Sequence, residues 1–251
     1  MDVENKYNTL SVQKYCLSML YDFDLYCKKY NIYYSLACGT LLGAVRHKGF
    51  IPWDDDVDIM FTRQNYNKFM HCFKEHPMDG YTLIGKLWIK KLTKKDNPLL
   101  VTEGQCIDLF VLDIVPKRRL LHSCKVLFLK MIQGMLKEGF YYQKYSFKFK
   151  ILSFCTYAMG RLFDKESKQK IYNKLMHWEG DCGGDNISIY NAIYKYMGMI
   201  FPKSIVSDYI ELDFENMQFM AISGYDVFLR ICYGDYMVPP PERDRKPQHI
   251  K

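Results

Sequence analysis

The chain has 251 residues, 49% of them hydrophobic, 16% aromatic, with a formal net charge of +7. That composition can bury a sizeable core and excludes a disordered or low-complexity protein. No apolar run approaches the roughly 20 residues needed to cross a bilayer, and the start MDVENKYNTL lacks the basic-then-apolar order of a signal peptide. Nine cysteines include no C-x-x-C pair, the pattern of a reduced chain. A cytoplasmic protein is expected.

The charge is concentrated. Residues 117–150 hold nine Lys/Arg against one acid, Glu138, a net +8, so the rest of the chain carries −1.

Residues 10–30 carry apolar side chains at three-to-four spacing (Val12, Cys16, Met19, Leu20, Phe23, Cys27, Tyr30), which predicts an amphipathic helix packed on the core. Residues 32–38 read as a short strand that stops at Gly39. Thr40 is then placed to cap a helix through Leu41, Leu42, Ala44 and Val45. The exposed amides of such a helix start can receive a phosphate oxygen, and Gly39 would let it come close.

Beyond Arg46 and His47 comes Asp54-Asp55-Asp56-Val57-Asp58-Ile59. On a strand, alternate residues share a face, so Asp56 and Asp58 are expected together, about 7 Å apart, with Val57 and Ile59 turned to the core. Two such carboxylates repel unless a cation lies between them, and a hard divalent ion suits oxygen ligands.

Residues 65–73 read as a helix, and 81–92 and 99–102 as strands around a polar turn at 94–98. Lys86, Lys90 and Lys91 are either solvated or turned to a nucleotide phosphate. In 107–115, Asp108 is a lone acid inside an apolar strand and requires a partner, which a metal shared with Asp56 and Asp58 would supply. Asp113 falls on the other parity and reads as structural.

The basic segment mixes its cations with Leu120, Leu127, Phe128, Phe140 and Tyr141. It fits either a helical lobe with a solvated face or a surface meeting anionic lipid or an anionic glycan. Nucleic acid is excluded for want of a binding motif. Residues 164–178 and 227–233 read as helices. The latter stops at Gly234 ahead of Pro239-Pro240-Pro241, and the tail beyond reads as frayed.

Gly39-Thr40-Leu41-Leu42-Gly43-Ala44-Val45-Arg46 with Gly49-Phe50-Ile51-Pro52-Trp53-Asp54-Asp55-Asp56-Val57-Asp58-Ile59 resembles the LicD family. Its members are bacterial phosphocholine transferases of surface glycans, with fukutin and fukutin-related protein as distant relatives. Cys106-Ile107-Asp108-Leu109-Phe110 with Asp113, and Tyr233-Gly234-Asp235-Tyr236-Met237 followed by Arg245 and His249, extend the likeness over most of the chain.

The resemblance implies an α+β fold: a nucleotidyltransferase-type mixed sheet flanked by helices, with a basic, mainly helical insertion. It divides the chain into a catalytic core (1–116), the basic lobe (117–180) and a C-terminal part completing the core (181–251). It also implies Mg²⁺, or Mn²⁺, held by Asp56, Asp58 and Asp108, with Asp54 as a base or further ligand. Gly39, Thr40, Arg46, Arg245 and His249 would bind substrate, and Lys86 joins them on the reading that turns it to a nucleotide phosphate. The expected reaction moves a phospho-alcohol, phosphocholine foremost, from a CDP-linked donor to a glycan or lipid-linked glycan, releasing CMP. The enzyme would be cytoplasmic, with the inner membrane face as a peripheral partner. Rival readings are a nucleotidyltransferase that releases pyrophosphate and a non-catalytic nucleotide-binding module.

Overall fold

The computed structural model describes residues 9–85, 88–95, 105–136, 147–178, 184–194 and 196–247. In chain order the helices are α1 (Thr9–Lys29), α2 (Cys38–His47), α3 (Arg63–Glu75), α4 (Arg119–Leu136), α5 (Phe147–Gly160), α6 (Lys165–His177) and α7 (Tyr225–Tyr233). The strands are β1 (Ser35–Leu36), β2 (Val57–Thr62), β3 (Tyr81–Ile84), β4 (Lys90–Lys94), β5 (Ile107–Ile114), β6 (Asn186–Ile189), β7 (Ile200–Pro202), β8 (Tyr209–Phe214) and β9 (Met217–Ile222). The described residues form two compact units, one of 9–85, 90–95, 105–112 and 201–247, the other of 88–89, 113–136, 147–178, 184–194 and 196–200.

The first unit is built on strands in the order β1-β2-β5-β4-β3. β2 and β5 pair in parallel, and the remaining neighbours along this path pair antiparallel. The sheet is therefore mixed, and with its helices the fold is the expected α+β, nucleotidyltransferase-like one. The predicted stripe of α1 packs as read, with Cys16, Met19, Leu20, Phe23 and Cys27 all fully buried. Phe23 meets Tyr34, Phe61 and Phe69 at ring-centroid distances of 5.0, 6.1 and 5.7 Å, joining α1, β2 and α3 in one aromatic cluster. Thr62 caps α3 by accepting from Asn65 N.

β8 and β9 form a hairpin whose tip, Glu215 and Asn216, takes left-handed φ values of 51° and 62°, as a tight two-residue turn requires. The tip reaches the loop before β2: Glu215 N donates to Lys48 O at 2.9 Å, and its carboxylate accepts from Phe50 N at 3.0 Å. Phe50 packs edge-on to Phe214, with ring centroids 4.8 Å apart.

Three expectations require correction. α2 begins at Cys38, with Ala37 at its N-cap, so Thr40 lies inside the first turn and caps nothing. β2 begins at Val57, so Asp56 precedes the strand. The predicted continuous strand 81–92 is two strands, β3 and β4, paired antiparallel ahead of the polar run at 94–98. Residues 99–102 and Cys182 lie outside the described residues.

In the second unit, a core of Leu129, Tyr172, Met176, Tyr190 and Met197 is joined by buried polar groups on the inner face of α4. The Lys125 ammonium donates to Met176 O at 3.0 Å and Trp178 O at 2.7 Å, holding the carbonyl end of α6, and sits 3.8 Å from the Tyr190 ring centroid. Gln133 Nε2 donates to Tyr172 Oη and Ala192 O, and His122 bridges Tyr190 Oη and Gly198 O. Asp164 caps α6 through Ser167 N. Among the described residues no helix is long and apolar enough to cross a membrane, and no cysteine is in a disulfide.

Replacing Phe23 with Ala should remove the centre of the aromatic cluster and cost about 3–5 kcal/mol, read from the midpoint of urea unfolding.

Candidate active site

The site starts from how α2 meets β2. Ala37 is extended (φ −135°, ψ 167°), and Cys38 then enters the left-handed region at φ 44° before the helix runs on. Two hydrogen bonds fix this entry to the strand: Ala37 N donates to Asp58 O at 2.9 Å, and the buried Thr40 Oγ1 accepts from Asp58 N at 2.9 Å. The Thr40 hydroxyl thus serves the strand backbone. Gly39 leaves room for an acid, since a Cβ there would come within 2.5 Å of Asp54 Oδ2. A carboxylate at a helix N-terminus is in a favourable field.

Five acids gather around this junction. One carboxylate oxygen from each of Asp54, Asp55 and Asp56 lies within 4.8 Å of the other two, close enough to share an ion. Asp54 is held by its backbone: its N donates to Ile51 O at 2.8 Å, and its O accepts from Gln13 Nε2 at 2.8 Å. Its buried Oδ2 has no hydrogen-bond partner. Burial, then the charge of Asp56, pushes its carboxyl well above the ordinary range. The same causes in the same order raise Asp58, with Asp108 and Asp54 adding to the effect and Lys91 opposing it.

Strand register supplies the rest. Asp58 on β2 pairs with Asp108 on β5, and Asp108 pairs with Lys91 on β4, so the three stand in one row across the sheet. Lys91 Nζ lies 2.8 Å from Asp108 Oδ1. Burial works against the Lys91 ammonium, but Asp108 and the neighbouring acids outweigh it and raise its pKa. The partner required by the lone acid of β5 is therefore present as a lysine. The Cys106 thiol also reaches Asp108 Oδ1, at 3.6 Å, and burial followed by Asp108 pushes it up to about 12.

At the far end of α2, Arg46 Nη1 donates to Tyr236 O at 2.6 Å. Burial, then Arg245, lowers the Arg46 pKa. Arg245 is anchored by a bond from Nε to Pro240 O at 2.8 Å, and its guanidinium lies over the Trp53 ring, 5.4 Å from the centroid. The tail read as frayed is thus folded onto the loop carrying the acids. Lys86 and His249 lie outside the described residues.

A profile of the LicD/FKTN/FKRP nucleotidyltransferase domain matches residues 31–150, which span the α2–β2 junction and β5. The lipopolysaccharide cholinephosphotransferase LicD of Haemophilus influenzae is 30% identical over 267 aligned positions covering 95% of each chain. The chain belongs to the LicD family. Two uncharacterized proteins show shorter matches to this LicD member. One, from Rickettsia typhi, is 29% identical over 54% of this chain and 38% of its own; the other, from Rickettsia prowazekii, is 32% identical over 43% and 41%.

Among the candidate residues of this LicD chain, Gly39, Thr40, Asp54, Asp56, Asp58 and Asp108 stand at the ends of α2, β2 and β5, and Arg46 and Arg245 approach each other nearby. Sequence reasoning gave no role to Asp55, whose 1% exposure places it inside the cluster. The signal was the unbroken run of three acids. It also left Lys91 unassigned between solvent and phosphate, because its place opposite Asp108 depends on a long-range register.

Asp58→Asn should raise Tm by about 2–4 °C in EDTA, the shift that about 1 kcal/mol of relieved repulsion gives at this chain length. Because the Asp58 pKa is raised in the folded state, ionisation costs stability as pH rises through it, so the gain should shrink as pH is lowered toward the ordinary carboxylate range. Differential scanning calorimetry at two pH values checks both.

Proposed function

We propose that this LicD-family protein transfers a phospho-alcohol group, phosphocholine first, from a CDP-linked donor to a hydroxyl of a cell-surface glycan or its precursor, with release of CMP. The observation that carries this reading is its alignment over 95% of both chains with a lipopolysaccharide cholinephosphotransferase. The acid cluster at the α2–β2 junction supports it chemically.

The donor set fits a hard divalent cation. It is all oxygen, Asp54 adds a buried carboxylate oxygen without a hydrogen-bond partner, and burial, then the charge of Asp56, raises Asp54 and Asp58. Asp56, Asp58 and Asp108 would hold Mg²⁺, or Mn²⁺ in its place, with Asp54 and Asp55 beside them. When bound, such an ion neutralises charge on the donor's diphosphate.

The remaining work falls to the chain itself. The first-turn amides of α2 face the donor phosphates, and Gly39 and Thr40 set that turn against β2. Arg46 and Arg245 supply positive charge on the side of Trp53; His249 is assigned to substrate from the C-terminal motif and Lys86 from its place in the sequence alone. The acceptor hydroxyl oxygen attacks the distal phosphorus. A new P–O bond forms as the bond to CMP breaks, and the hydroxyl proton passes to a carboxylate. We assign that base to Asp54, whose buried Oδ2 has no hydrogen-bond partner and whose carboxyl is raised by burial and then by the charge of Asp56. Catalysis of this kind rests on positioning and charge stabilisation.

CMP release should be measured across CDP-choline, CDP-ethanolamine, CDP-ribitol and CDP-glycerol, with Mg²⁺ and with EDTA. The expected outcome is Mg²⁺-dependent CMP from one donor, strongest with CDP-choline, reduced about 100-fold or more in Asp56→Asn and Asp58→Asn. Near-normal turnover in either variant would sink the assignment of the acids. Pyrophosphate from a nucleoside triphosphate, in place of CMP, would select a nucleotidyltransferase.

A further inference from the structure

The second unit wears its polarity inside out on one side. The buried residues of α4 are His122, Lys125, Leu129, Gln133 and Leu136, mostly polar and mostly bonded inward. On its opposite side stand three exposed apolar residues, Leu120, Leu127 and Phe128. Leu120, Leu127 and Phe128 on α4, Phe154 on α5, and Leu162 and Phe163 just after α5 are between 53% and 81% exposed. An amphipathic helix of a water-soluble domain has the reverse arrangement.

α4 and α5 pack directly on each other. A Cβ at Gly134 would run into the Thr156 hydroxyl, and one at Gly160 into the Met135 carbonyl. The glycines let the two backbones approach closely, so α4 and α5 form one firm pair.

Charge identifies what covers this face. Residues 117–163 contain ten Lys/Arg and one acid, Glu138. Lys125 is turned inward, whereas Lys117, Arg118, Arg119 and Arg161 are exposed beside the apolar residues. A second copy of this chain would set a cationic face against a cationic face in a two-fold interface. Nucleic acid would meet the cations but leave the Leu and Phe side chains unsatisfied. A bilayer with anionic headgroups takes both: the aromatic and aliphatic side chains enter the headgroup–acyl boundary while the cations remain at the phosphate level.

We propose that α4, α5 and the turn at Leu162 and Phe163 form an in-plane docking face for an anionic phospholipid bilayer. The face is peripheral, and it is independent of which donor the site uses.

Flotation of the full chain with phosphatidylglycerol-containing vesicles, and with phosphatidylcholine vesicles, tests this at low and high salt. The chain should float with the anionic vesicles at low salt and much less at high salt or with phosphatidylcholine. Leu127→Glu/Phe128→Glu should reduce the partition coefficient about tenfold or more, through lost apolar burial. Lys117→Glu/Arg119→Glu should reduce it comparably on anionic vesicles only. All four positions are exposed, so Tm should stay at the wild-type value, which separates lost docking from lost folding. Absence of flotation at low salt would overturn the proposal, as would flotation undiminished by Leu127→Glu/Phe128→Glu. A concentration-dependent dimer in sedimentation velocity, abolished by that same variant, would assign the face to a second copy instead.

Discussion

Mutual repulsion among carboxyl groups is the constraint around which the first unit is arranged. Asp54, Asp55, Asp56 and Asp58 are four of five consecutive residues, and Asp108 is brought beside them by parallel pairing. Concentrating that charge opposes folding, and the surrounding features offset it. Gly39 leaves room for Asp54 at the first turn of α2, Lys91 pairs with Asp108, and Ala37 and Thr40 hold the Asp58 backbone O and N. Cys38 accepts a left-handed φ at the same junction, local strain tolerated because the surrounding hydrogen bonds over-determine it. Sites that bind polyanions commonly hold such charge in reserve, at a stability cost carried by the rest of the fold.

The sequence showed what local periodicity controls. α1, α3 and β5 were legible because burial imposes a repeat of 3.6 or an apolar run on each, and α7 because Gly234 follows it directly. The acids were legible as a motif, and the resemblance to one family pointed to the right fold. What depends on distant pairing was not legible. Lys91 meets Asp108 through the register of β4 on β5, and no local pattern around Lys91 indicates it. The antiparallel break between β3 and β4 was missed because the stronger polar signal lies after β4. Thr40 was misread as a cap because a helix starting at a left-handed cysteine is rare. The tail could not be read from its own composition, since Arg245 is ordered by Trp53, far away in the chain.

The two units solve different problems with the same residue types. In the first, the aromatic core of α1, β2 and α3 is buried, and acids collect at strand ends where chemistry is possible. In the second, Lys125, Gln133 and His122 are committed to internal carbonyls and hydroxyls, so they act as structural pins. The cation of Lys125 therefore contributes nothing to the outward charge of its segment, although a count along the sequence includes it.

The bond between the hairpin tip and the loop before β2 has a temporal side. Glu215 holds Lys48 and Phe50 from a position more than 160 residues further along the chain. A nascent chain leaving the ribosome would already contain every acid of the site, and the loop that carries them would still lack its latch. The charged cluster is made early and set late, and until the hairpin is synthesised the acids are free to remain hydrated and apart.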